Sequence, residues 1–144
     1  MAAESVSGYR RAMPWLRRAA RAGEPWAAYH VGLIYAGSWG VRKSQGLAVK
    51  WYERAARSGY DSAQLNLGII LANRRPPRTD LRRAIELYRR AAASGNRNAA
   101  YNLGLYYENG RGVRRNVTVA RRWYAVAAKA GDRDARRALL RLRR

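Results

Sequence analysis

The chain has 144 residues, 30 Lys+Arg against 9 Asp+Glu for a net charge of +21, and no cysteine. That length suits about one domain with a real core. The missing cysteine excludes a disulfide framework and thiolate metal sites, and no run of 18 apolar residues is present to span a membrane as a helix. The charge points to a polyanionic partner, whether nucleic acid, an acidic membrane surface or an acidic protein. Lysine occurs only at Lys43, Lys50 and Lys129. Arginine suits bidentate contacts with phosphate or carboxylate. A GC-rich genome accounts equally well for that ratio, but not for the shortage of acids.

The N-terminal stretch MAAESVSGYRRAMPWLRRAARAG has no apolar h-region. No secretory signal is therefore expected, and Arg10-Arg11 is not read as a twin-arginine signal. The expected location is the cytoplasm, with the periplasm or secretion requiring a leader already removed. Residues 1–8 are expected to be flexible. Ala12, Trp15, Leu16, Ala19 and Ala20 then share one helical face, with Pro14 predicting a start near Met13 or a kink.

Two helical patterns follow in each of three units. The first of each pair, helix A, is predicted over 25–37, 62–73 and 98–109. The second, helix B, is predicted over 45–59, 80–95 and 116–131. In helix B the apolar positions fall at spacings of 3, 4 and 7, as in Ala48, Trp51, Tyr52, Ala55 and Ala56, which marks one buried face. Ser44, Asp80 and Asn116 stand where N-caps belong. Gly59, Gly95 and Gly131 stand where left-handed C-caps belong. Between A and B, Gly40-Val41 and Gly112-Val113 predict a structured turn with an apolar peg. The middle turn, Asn73–Thr79, has two prolines and no glycine, which predicts a stiffer path.

The three units share one period. Gly23, Gly59, Gly95 and Gly131 are 36 residues apart, as are Gly32, Gly68 and Gly104. A period in this range marks a solenoid. The second glycine column lies inside helix A, where glycine costs about 1 kcal/mol relative to alanine, so it is read as the A–B contact. The organisation expected is a flexible 1–8 and one solenoid domain over 9–144. That domain divides into a half-repeat (9–23), full repeats (24–60, 61–96, 97–132) and a capping helix (133–144), where Leu140 replaces the packing glycine.

Ala99-Ala100-Tyr101-Asn102-Leu103-Gly104-Leu105-Tyr106-Tyr107, Gly110-Arg111-Gly112-Val113 and the run from Ala120 through Trp123-Tyr124 to Gly131 resemble the Sel1-like repeat family, relatives of tetratricopeptide repeats. The resemblance covers about residues 12–142. It implies an all-α fold, a right-handed α/α superhelical solenoid, acting as a protein-binding adaptor, most often bacterial, without catalysis. In that class of superhelix helix A lines the concave face and helix B the convex one.

The predicted helix A segments contain no Lys or Arg, and Glu108 is their only acid. The expected groove residues are Trp26, Tyr29, His30, Leu33, Asn66, Ile69, Tyr101, Asn102 and Leu105. Rings and amides of this kind suit an extended peptide. Equally, Asn66 and Asn102 can tie helices together, and Tyr29 and Tyr101 can be inter-repeat packing. Convex arginines, among them Arg18, Arg54, Arg57, Arg83, Arg90 and Arg122, are expected to steer or bind a polyanion. An acidic protein partner is the first expectation. Weak, non-specific nucleic-acid binding is the alternative. His30 is the only histidine, no nucleophile–base pair or metal spacing is visible, and no phosphate loop occurs. An enzyme, a cofactor, a metal and a small-molecule substrate are therefore not expected.

Overall fold

Glycine decides where the helices stop. Gly23, Gly59, Gly95 and Gly131 have φ of 101°, 84°, 92° and 97°, a region that only glycine enters without steric cost. At each, two backbone bonds close the last turn. The Gly59 N–H donates to the Ala56 carbonyl at 3.0 Å and the Tyr60 N–H to that of Ala55 at 3.1 Å. The same pair recurs at Gly95 and Asn96, and at Gly131 and Asp132. This is the Schellman closure that satisfies orphan carbonyls.

A computed structural model describes the backbone of residues 2–37, 39–74 and 78–143, with the side chains of these except 2–6 and 78–79. The described residues form helices and no strand: α1 (Ala2–Arg21), α2 (Pro25–Gly37), α3 (Gln45–Arg57), α4 (Asp61–Asn73), α5 (Arg78–Ala93), α6 (Arg97–Asn109), α7 (Val117–Lys129) and α8 (Arg133–Arg141). No described helix is long and apolar enough to cross a membrane. The chain falls into two compact units, Met1–Ala63 and Gln64–Arg144, divided inside α4, where one domain over 9–144 is expected. In a repeat array each repeat contacts only its neighbouring repeats.

In the first unit α2 packs against α1 and α3. It buries Ala27, Ala28, Val31, Gly32, Ile34 and Tyr35, while α3 buries Ala48, Tyr52, Ala55 and Ala56. In the second unit α6 packs against α5 and α7. There α5 buries Ala84, Ile85, Leu87, Tyr88, Ala91 and Ala92, and α7 buries Ala120, Tyr124 and Ala127.

The interior glycines are the contact points expected of them. A Cβ added to Gly32 would lie 2.6 Å from the Tyr52 ring, and one on Gly68 would lie 2.6 Å from Tyr88. On Gly104 it would come closer still to Tyr124. The helix-B tyrosine lies directly against the helix-A backbone.

Both described turns use one closure. The Ser44 N–H donates to the Tyr35 carbonyl at 3.0 Å and the Asn116 N–H to that of Tyr107 at 2.9 Å. Val41 and Val113 are half-buried. A Cβ on Gly112 (φ 69°) would meet Leu81 at 2.9 Å, so this turn sits on α5.

Two predicted starts move. Ser44 and Asn116 cap α3 and α7, accepting from Leu47 N–H at 3.2 Å and Val119 N–H at 3.1 Å. Asp80, however, lies inside the first turn of α5, which begins at Arg78. A helix can begin directly after two prolines, and an acid in its first turn favours the helix dipole. The stiff path expected of the middle turn rests on residues 75–77, which lie outside the described residues. At the N-terminus α1 runs from Ala2 through Pro14, so of a start near Met13 and a kink, the start is not what forms. Pro14 forfeits only the bond to the Arg10 carbonyl, and both residues are exposed, so water can take that carbonyl.

The glycine contacts predict opposite outcomes for one substitution. Gly68→Ala should cost about 1–3 kcal/mol by overpacking against Tyr88, outweighing the helix preference of alanine. Gly46→Ala in α3, whose nearest atom is Ser44 Oγ at 4.0 Å, should leave thermal stability unchanged or slightly raised. Equal stability for the two variants in thermal melts would refute the close-contact reading.

Candidate partner-binding faces

The helix-A side chains of the first unit form a ring cluster. Tyr29 lies 5.0 Å from Tyr60, 6.0 Å from Tyr52 and 5.3 Å from His30, centroid to centroid. Trp26 meets His30 edge-on at 6.2 Å. Tyr29, His30 and Leu33 are half-buried, whereas Trp26 is 44 % exposed. Tyr29 is thus part of the packing, one of the two roles its position allows, and Trp26 is the member most open to a partner.

In the second unit Asn66 and Leu105 are half-buried and Ile69 is exposed. Tyr101 packs on Tyr124 at 5.7 Å, and burial pushes its hydroxyl pKa up. Asn102 hydrogen-bonds the Tyr88 hydroxyl, which is itself pushed up chiefly by burial. Asn102 is therefore a tie between α5 and α6. Leu65 on α4 is buried.

Charge reaches this unit from an element the groove reading left out. The Arg141 guanidinium of α8 donates to both carboxylate oxygens of Glu108, one bond measuring 3.0 Å. The Tyr124 hydroxyl donates to the same carboxylate at 2.5 Å. Hydrogen bonding from Arg141 holds the Glu108 carboxyl below the usual carboxylate range; burial opposes it, and the Tyr124 hydroxyl adds a smaller lowering. The register of α8 against helix A was readable, but nothing in spacing alone aims Arg141 at Glu108. Arg97, too, belongs to α6, so this helix A carries one basic residue.

The helix-B arginines of each unit lie open to solvent. Arg18, Arg54, Arg57, Arg83, Arg90 and Arg122 are all exposed. Glu53 lies 4.0 Å from Arg57, and Glu86 lies 3.3 Å from Arg90 and 3.9 Å from Arg89. Such exposed pairs contribute roughly 0–1 kcal/mol each. Among the described residues no group of three His, Cys, Asp or Glu is arranged to hold a metal ion.

A family model for the Sel1 repeat matches residues 7–24, 27–60, 61–96 and 97–132. The chain belongs to the Sel1 repeat family. Its fold is an all-α solenoid of helix-turn-helix repeats of about 36 residues. A Sel1 repeat protein from Oxalobacter formigenes is 33 % identical with a TM-score of 0.83, over 90 % of this chain and 53 % of that one. The protective antigen c5321 of uropathogenic Escherichia coli, described as displaying an SLR fold, is 35 % identical with a TM-score of 0.80, over 86 % of this chain and 27 % of that one. The Sel1 chain here thus spans about half and about a quarter of those two lengths. Helicobacter pylori cysteine rich protein B shares the fold at 19 % identity and a TM-score of 0.68, over 90 % and 93 % of the two chains. No curated protein matches. Sel1 repeats are generally protein-interaction scaffolds, a non-catalytic fold.

The Glu108 cluster predicts a pH dependence. Its pKa is lower in the folded chain than in the unfolded one, so its contribution is fully present above the unfolded value near 4.3. That contribution is lost as pH falls through the lower folded value. Wild type should therefore melt above Glu108→Gln at pH 7, and the gap should close as pH falls below about 4. A gap that stays constant down to pH 2 would show that the carboxylate charge is not what stabilises the cluster.

Proposed function

We propose that this Sel1 repeat chain is a binding scaffold for an acidic protein, with exposed helix-A side chains making contact and helix-B arginines steering the encounter. The observation that carries this reading is the excess of exposed arginine on α3, α5 and α7 over their three acids, Glu53, Asp80 and Glu86. Trp26 and Ile69 are exposed helix-A side chains that a partner can desolvate without disturbing the packing that engages Tyr29, Tyr101 and Asn102. Helix A carries few charges, and unpaired charge is expensive to bury.

A pull-down from native lysate, with and without nuclease, is the direct test, followed by binding kinetics with the captured partner. Trp26→Ala with Ile69→Ala should raise the dissociation rate with helicity retained. Arg54→Glu with Arg90→Glu should mainly slow association and flatten its salt dependence. Capture that disappears with nuclease, or loss of binding only in the arginine variant, would overturn the assignment of contact to helix A.

The same arginine surface supports a second reading, non-specific nucleic-acid binding. The rings of helix A and the helix-B arginines are not interleaved along the sequence, so any base stacking would fall to the helix-B tryptophans, of which Trp15 is exposed. Binding to duplex DNA should be detectable at low salt, without sequence preference, and should fall steeply between about 50 and 200 mM salt. Affinity that persists at high salt would make nucleic acid the primary partner.

A further inference from the structure

Position 126 breaks a column. Arg18, Arg54 and Arg90 occupy the same register in α1, α3 and α5, but α7 carries Val126. Two turns earlier Arg11 and Arg83 correspond to Val119, with Leu47 in α3. The consequence is visible at the tryptophan between them. In α3 the Arg54 guanidinium lies over the Trp51 ring at 5.6 Å. In α7 the equivalent indole, Trp123, has a valine in place of that arginine. Val119, Trp123 and Val126, with Arg122, line an open depression of about 260 Å³. The three apolar residues follow at i, i+4 and i+7, so they share one helix face. Val126 is 47 % exposed. Scattered exposed aliphatics are ordinary, but a contiguous strip around a depression is a shaped apolar surface.

Charge selects the occupant. Arg122 lines the depression, Lys129 follows Val126 by three residues on the same helix, and α7 contains no Asp or Glu. A second copy would set the same basic rim, and a net charge of +21, against its own. An apolar strip with a cationic rim instead complements a helix whose apolar i, i+4, i+7 side chains are flanked by acids. We propose that the Val119–Trp123–Val126 face of α7 docks an acidic amphipathic helix of a partner protein. This rests on the acidic-partner reading and adds to it the place where an apolar anchor is seated.

The test uses two synthetic peptides of one composition. In the first, leucines at i, i+4 and i+7 are flanked by glutamates; in the second, the same residues are scrambled so that no apolar face forms. The full chain should bind the ordered peptide at least about tenfold more tightly than the scramble, roughly the contribution of one or two buried aliphatic groups. Val126→Arg restores what three other repeats carry, so it should fold as wild type does by circular dichroism. It should abolish the preference while retaining salt-dependent binding of the scramble. Val119→Arg, with the same precedent at positions 11 and 83, should do likewise. Equal affinity of wild type for both peptides overturns the docking face and leaves the acidic-partner reading standing. Binding of neither peptide overturns both. A wild-type dimer in sedimentation that Val126→Arg dissociates would make the occupant a second copy and overturn the proposal.

Discussion

Each repeat rests on one contact, the face of a helix-B tyrosine laid on a helix-A glycine. Tyr52, Tyr88 and Tyr124 are almost wholly buried, and Gly32, Gly68 and Gly104 leave them no room for a Cβ. Removing a fully buried aromatic side chain costs about 3–5 kcal/mol. Glycine inside a helix costs about 1 kcal/mol. The balance favours retaining both, and close approach of A and B follows. The small residues around the contact have the same cause: Ala48, Ala55, Ala84, Ala91, Ala120 and Ala127 are all essentially without exposure, and larger side chains would hold the helices apart.

The chain must also reverse from each helix B to the next helix A, and the left-handed glycines at 59, 95 and 131 provide that turn with both Schellman bonds made. The same glycine closes α1 at Gly23, where the Glu24 N–H donates to the Ala19 carbonyl at 3.1 Å. Period, helix length and turn chemistry therefore agree with one another, the consistency expected of a sequence that specifies its fold.

That agreement is why the scaffold was legible and the site much less so. Helix A boundaries differ from the pattern by at most one residue, because caps and glycines are local signals. Pro14 misled as to the start of α1, since its cost depends on whether the released carbonyl is buried, and it is not. Asp80 misled because the helix begins two residues sooner, at Arg78. At the candidate faces Tyr29, Tyr101 and Asn102 have the right chemistry for a peptide but are engaged in packing. Periodicity reports that a residue lies on a face, not whether its neighbour has already covered it. Arg141 was missed because its partner is 33 residues away. The break at Val126 was visible as a missing arginine in a repeat column, but its meaning depended on the arginine that covers Trp51.

The charge divides in the same way. Several arginines hold the fold rather than a partner. Arg17 donates to the Tyr35 hydroxyl and Arg89 to that of Tyr107, two positions related by two repeats. At the intervening register the sequence carries Glu53 and Leu71, so both members change together. Arg111 donates to the Ala72 carbonyl at 2.7 Å and Arg115 to that of Glu108 at 3.0 Å, while Arg121 reaches the Leu142 carbonyl. These carbonyls lie at the ends of α4, α6 and α8, where the last turn leaves acceptors without partners and the dipole favours a cation. The guanidinium fork can donate there while its plane packs on a ring, as Arg111 does over Tyr106 at 4.8 Å, which an ammonium matches poorly. The excess of arginine over lysine thus has a structural component. Arg18, Arg54 and Arg122 are exposed helix-B arginines outside this set of hydrogen bonds, and α7 carries Val126 where α1, α3 and α5 carry arginine.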